Sequence, residues 1–233
     1  MIDLSLLLWA VVPPILLVFL YHYRIATAPF FLRLLRFFLF GFIAGSFADF
    51  GTGIITQGES IQASFPGELL RQLILVPPIQ EGFKLAAVVI PLKFFSAQSR
   101  LCVGSIFLFT IVAALGFTAQ ENVVYLLANP ATTGERLILT PVQAILSAPW
   151  GYALGISMCL KIRSHRYTQS LTRAWLTAVG YHGLVNFFAI SQGIVGYAFF
   201  PLLFWLFWQT EQLLRRVQGK YPIDVISRRE GKR

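Results

Sequence analysis

Charge is what this chain has least of. Asp, Glu, Lys and Arg make up 12% of its 233 residues, while 56% are hydrophobic and the mean hydropathy is +0.68. A soluble domain usually carries about 25% charged residues. A water-soluble fold of this length would have too little polar surface to cover its core, which makes the bilayer the solvent and spanning segments the architecture. Alternation is missing too. Stretches such as "LLLWAVVPPILLVFL" do not switch between apolar and polar, which excludes an outer-membrane barrel. Cysteine is scarce: Cys102 and Cys159 both fall near expected cytoplasmic span ends and read as free thiols, too few for a metal cluster. The N-terminal "MIDLSLLLWAVV" lacks a basic n-region and an A-x-A-like cleavage site, so it reads as a retained first span. There is no Ser-His-Asp pattern, no H-E-x-x-H and no glycine-rich phosphate loop, and nothing marks Ser147 as a nucleophile.

What is present is long apolar runs. The expected fold class is all-α: a polytopic membrane protein with about seven transmembrane helices, near 4–21, 34–56, 72–92, 102–128, 139–160, 174–192 and 194–213. Each is long enough for a hydrocarbon core of roughly 30 Å. No soluble domain, linker or internal repeat stands out, so residues 1–233 read as one integral membrane domain with a basic tail at 214–233. Of nineteen Lys and Arg residues, seven lie in that tail and nine in three connections, whereas only Arg71 and Arg136 lie in the alternate loops. The positive-inside rule then puts the N-terminus outside and the C-terminus in the cytoplasm. The net charge of +9 is explained by topology and by anionic lipid at the cytoplasmic face, so nucleic acid is not an expected partner.

Against that background a few polar residues matter. Asp49, Glu81, Lys84, Glu121 and His182 all fall inside expected spans. Each costs at least about 2–3 kcal/mol at mid-bilayer unless it is partnered or wetted. One shared polar cavity facing away from lipid offsets that cost. Glu81 and Lys84 are three apart and share a helix face, as an ion pair would; His182 and Asn186 are four apart. The bland reading of His182 and Asn186 is helix–helix hydrogen bonding, and that of Asp49 is a polar residue at a helix end. Two chemistries suit such a cluster. A carboxylate could act as general base toward water while His182 and Asn186 face a developing oxyanion. Alternatively, Glu81, Glu121 and His182 could hold a divalent metal such as zinc that activates the water.

The segments "QEGFK" (Gln80–Lys84), "GFTAQENVVY" (Gly116–Tyr125), "SAPWGYALG" (Ser147–Gly155) and "HGLVN" (His182–Asn186) resemble the PrsW family of intramembrane proteases, within the wider CAAX-protease and Abi-like group. The family pattern is E-E-x-x-K, F-x-x-x-E, a His-containing segment and H-x-x-x-D or H-x-x-x-N, and the resemblance covers about residues 70–190. It implies that Glu81, Lys84, Glu121, His182 and Asn186 form the catalytic set, with Phe117 in the second motif. Three positions depart: Gln80 replaces the first Glu, Ser147 the His before A-x-W, and Asn186 the final acid. Two functions follow. One is an endopeptidase of a cytoplasmic (inner) or thylakoid-like membrane that cuts membrane-anchored proteins. The other is a catalytically inactive relative serving as subunit, scaffold or assembly factor of a membrane complex. A transporter is disfavoured because repeat symmetry is lacking.

Overall fold

The structure, a computed structural model, describes residues 4–25, 29, 31–57, 65–95, 102–159, 164–191 and 193–218. Within them every regular element is helical. Helix α1 is Leu4–Arg24 and α2 is Phe31–Gln57. Helix α3 is composite: Phe65–Leu70, one π turn at Arg71–Leu75, then Val76–Phe95. Helix α4 is Val103–Ala128, α5 Thr133–Cys159, α6 Ser164–Ile190 and α7 Phe199–Val217. Short 3₁₀ segments, Pro130–Thr132 and Gly193–Ala198, precede α5 and α7.

Among the described residues, seven helices stand where seven spans were expected, and six regions are long and apolar enough to cross a membrane. The exception is α6. It begins at Ser164 rather than near 174, taking in a polar run, and it carries His182 and Asn186. It packs on α5, on α3 and on the π turn. That turn has a cause in the sequence. Pro77 and Pro78 lack the N–H groups that the carbonyls of Leu73 and Ile74 would receive in an α-helix. The ladder widens to i→i+5 there, Val76 N–H bonding to the Arg71 carbonyl, and the helix continues instead of breaking. The basic tail expected at 214–233 lies, beyond residue 218, outside the described residues.

Helix α4 is the centre. Its apolar span is wholly buried, enclosed by α1, α2, α3 and α5. Small residues allow that enclosure. A Cβ at Gly41 of α2 would lie 1.9 Å from the Ala113 carbonyl oxygen, and one at Gly116 of α4 would lie 2.0 Å from the Phe38 carbonyl oxygen. The two backbones therefore touch directly at two levels. Large apolar side chains such as Leu16, Phe47, Phe50, Phe204 and Trp208 face outward, as lipid contact requires. At one end of the bundle Arg24 of α1 holds Glu211 of α7 through two bonds of 2.7 and 2.9 Å. Cys102 and Cys159 form no disulfide.

The α2–α4 contact gives a direct test. Gly116→Val should lower stability in detergent by about 1–3 kcal/mol or more, because backbone rather than a flexible side chain is in the way. Gly180→Ala, where a Cβ meets nothing within 4 Å, should be neutral or slightly stabilising on the same thermal melt.

Candidate active site

The site is built around the Glu81 carboxylate, which is wholly buried. Its Oε1 accepts from Lys84 Nζ at 2.8 Å, one turn along α3. The same oxygen lies 3.0 Å from His182 Nδ1 on α6. Its Oε2 accepts from Trp150 Nε1 at 2.9 Å and from Ser147 Oγ at 3.2 Å, both on α5. Because an ionised carboxylate only accepts hydrogen bonds, the His182 Nδ1 facing it carries the proton. In the neutral ring Nε2 then holds the lone pair. Lys84 is also fully buried; it donates to Gln143 Oε1, and its ammonium sits 4.8 Å from the centre of the Phe117 ring. Phe117 thus closes over the cation from α4, a contact worth about 2 kcal/mol when desolvated.

A cavity of about 320 Å³ lies beside this cluster, at the bundle end opposite Arg24 and Glu211. Gln80, Glu121, His182, Asn186 and Asp49 line it; Glu81 and Lys84 do not. Helical geometry explains the difference between neighbours, since successive residues point about 100° apart. Gln80 faces the cavity and donates to Glu121 Oε1 at 3.0 Å. Gln143 donates to Glu121 Oε2 at 3.2 Å, so two amides hold that carboxylate. Asn186 turns its amide toward Gln72, 3.2 Å from Oε1. Asp49 accepts from Gln120 Nε2 at 2.8 Å on the cavity wall, a more specific role than a helix-end polar residue.

Of the five residues expected in the catalytic set, Glu81, Lys84 and His182 meet in one hydrogen-bonded cluster, and Gln143 links it to Glu121. Asn186 borders the same cavity without bonding to them. Sequence reasoning passed over Gln143 and, although Trp150 lies in the quoted Ser147–Gly155 segment, gave it no role. A signal was there: Gln143, Ser147 and Trp150 are spaced i, i+4, i+7 and so share one face of α5.

Comparison with known families adds one decisive finding. The profile described as PrsW family intramembrane metalloprotease matches residues 30–209. The chain belongs to the PrsW family. Comparison with curated proteins and with solved structures gives no match. The PrsW description implies a metal, and the donor set can be tested against it. Among the described residues no group of three His, Cys, Asp or Glu side chains could hold a metal ion. Glu81 is occupied by four donors, one of them an ammonium, and both oxygens of Glu121 accept amide N–H groups. That leaves Glu121 and His182 Nε2 as cavity-facing donors, with Asp49 held by Gln120, and among the described residues these do not come together as the set of three that a metal site needs.

The Glu81–Lys84 pair predicts a non-additive mutant pattern. Lys84→Met strands a buried carboxylate and should cost about 3–5 kcal/mol. The double variant Glu81→Gln, Lys84→Met should be less destabilised than the two single losses summed, as read by denaturation in detergent. Additive losses would show that the two charges do not depend on each other.

Proposed function

We propose that the chain is an intramembrane endopeptidase that cleaves membrane-anchored proteins near the outer half of the bilayer, with His182 as the base that activates water. The observation that carries this is the 3.0 Å contact between His182 Nδ1 and the buried Glu81 carboxylate, on a ring that also lines the cavity. Glu81 fixes the tautomer and Lys84 balances its charge. Nε2 takes a proton from water as the water oxygen bonds to the scissile carbonyl carbon. The same proton passes to the amine nitrogen as the C–N bond breaks. Glu121, held by Gln80 and Gln143, keeps acceptor capacity for positioning that water, and Asn186 can turn an amide hydrogen toward the oxyanion. The distribution of Lys and Arg supports a cavity mouth on the outer side.

This reading moves the base from Glu81 to His182. A carboxylate with four donors and no cavity surface cannot reach a substrate water, whereas the imidazole can. One observation favours a second reading. Gln80 occupies the cavity-facing position beside Glu121, and an amide cannot take a proton as a base. A non-catalytic PrsW relative that keeps the cavity to bind membrane partners, as subunit, scaffold or assembly factor, would tolerate that.

Purified protein presented with a single-span reporter separates the two. On the peptidase reading the reporter is cut, and His182→Ala lowers the rate by roughly 10²–10⁴-fold, the usual contribution of a general base. Glu81→Gln should lower it as well, with the Tm in detergent measured alongside to separate chemistry from folding. No cleavage by wild type, together with recovery of one stoichiometric partner on gentle extraction, would instead support the non-catalytic reading. A wild-type rate in His182→Ala would remove His182 from the mechanism. Because the donor set does not fit a metal, cleavage should also survive exhaustive chelation, and metal analysis of the active sample should find well below one ion per chain.

A further inference from the structure

Arg136 is a charged residue on the cavity wall that the proposed mechanism leaves unused. It lies in the first turn of α5, and its side chain is only 14% exposed. Two contacts hold its guanidinium in place. The plane sits 4.1 Å from the centre of the Tyr125 ring. Its Nε donates to Asn122 Oδ1 at 3.1 Å. Asn122 is itself pinned, its amide donating to Thr140 Oγ1 at 3.2 Å and to the Ala10 carbonyl at 3.3 Å. Yet Nη2 is buried and has no hydrogen-bond partner. The nearest acid, Glu121 Oε2, is 4.0 Å away and already accepts from Gln143. Leaving a buried charged donor unmatched is costly, so a rigid, unmatched guanidinium on a cavity wall indicates a missing acceptor.

The charges around it select the kind of acceptor. Arg71, the other arginine lining the cavity, is bonded to both oxygens of Glu68 at 2.8 and 2.7 Å. Asp49 and Glu121 remain on the wall as acids. Two acids near a cation that already has a long ion pair with one of them, but no hydrogen bond from Nη2, disfavour a carboxylate or phosphate ligand and favour a neutral oxygen. A membrane-anchored polypeptide supplies one. Cleavage in a cavity requires the helix to unwind, and each carbonyl it frees must find a donor, because no lipid can provide one.

We infer that Arg136 is a substrate-binding residue whose guanidinium receives a main-chain carbonyl oxygen of the unwound polypeptide. This rests on the proposed peptidase reading, which is what requires the bound polypeptide to unwind in the cavity, although the contact itself forms before any bond is broken. Asn122 and Tyr125 are positioning residues for Arg136, holding the guanidinium in one orientation.

The test measures binding rather than turnover. The probe is a synthetic single-span Leu/Ala peptide with a Gly/Ser stub and an amidated C-terminus, titrated by fluorescence anisotropy in detergent. All variants are made on a His182→Ala background, so an inactive wild type would leave the measurement intact. Arg136→Gln should weaken binding by about tenfold or more, the effect of losing a charged hydrogen bond. Arg136→Lys, which keeps a cation but not the fork stacked on Tyr125, should fall between. Unchanged affinity in Arg136→Lys, or in a stably folded Arg136→Gln, overturns the inference. A peptide that fails to bind the parent protein overturns the reading of the cavity as a polypeptide site and the inference with it, whereas binding that is indifferent to Arg136 overturns the inference alone. If sensitivity to Arg136 appears only with a free C-terminal carboxylate, the acceptor is not a main-chain carbonyl and the inference likewise fails.

Discussion

A single carboxylate sets the terms for this protein. Glu81 is charged, lies inside the bundle and is sealed from solvent. It persists because four donors from three helices converge on it: Lys84 on its own helix, Ser147 and Trp150 on α5, and His182 on α6. No rearrangement that separates α3, α5 and α6 leaves those donors together. Removing any one of them exposes an unmatched acceptor in a region without water. The fourth helix, α4, is tied in through Phe117 over the Lys84 ammonium and through the Gln143 bridge to Glu121. The contacts that give the fold its register are thus the same contacts that orient the imidazole.

Adjacent positions do opposite work because of that register. Glu81 points into the packed interior, and Gln80 points into the cavity. At position 80 the amide has a definite consequence. Its N–H lies 3.0 Å from Glu121, where a glutamate would put two carboxylates in contact. Such a pair would have to share a proton or bind a cation. With Gln80 neither is needed. The chain matches the PrsW family over residues 30–209, buries its Glu81–Lys84–His182 cluster and turns an amide, Gln80, toward the cavity.

Much of this was legible in the sequence, because membrane burial makes each polar residue conspicuous. The helical class, the approximate spans and the convergence of Glu81, Lys84 and His182 follow from hydropathy and from spacings of three and four. Orientation within a helix was harder. Whether residue 80 or 81 faces the cavity depends on a rotation of about 100°, which no apolar pattern fixes when both flanks are hydrophobic. The continuity of α3 was also hidden. "VPPI" reads equally as a break or as a helix start, and the π turn that resolves it packs closely against α6 at Gly183, where a Cβ would lie 2.7 Å from the Leu73 carbonyl oxygen. Trp150 and Gln143 were obscured for a different reason. Neither is charged, so neither raises the cost that draws attention to intramembrane acids.

The depth of the cavity is set by α4. From Val103 to Ala119 this helix is apolar, except for small hydroxyl and glycine positions. Thr110 and Thr118 turn their hydroxyls back onto the carbonyls of Ile106 and Ala114. Three consecutive polar residues then follow, and helical rotation sends them three ways. Gln120 reaches Asp49 on α2, Glu121 meets the amides of α3 and α5, and Asn122 ties α1 and α5 together while holding Arg136. A fully enclosed helix cannot end such a polar run in lipid, so its neighbours must open around it or supply partners. Here they do both, and the space they leave is the cavity. Moving the Gln120–Asn122 triplet one turn toward the N-terminus would place it against Phe38 and the α2 backbone, where Gly116 leaves no room for a side chain. The tight α2–α4 contact below and the open polar end above are consequently alternatives along one helix, and the sequence of α4 specifies where one gives way to the other.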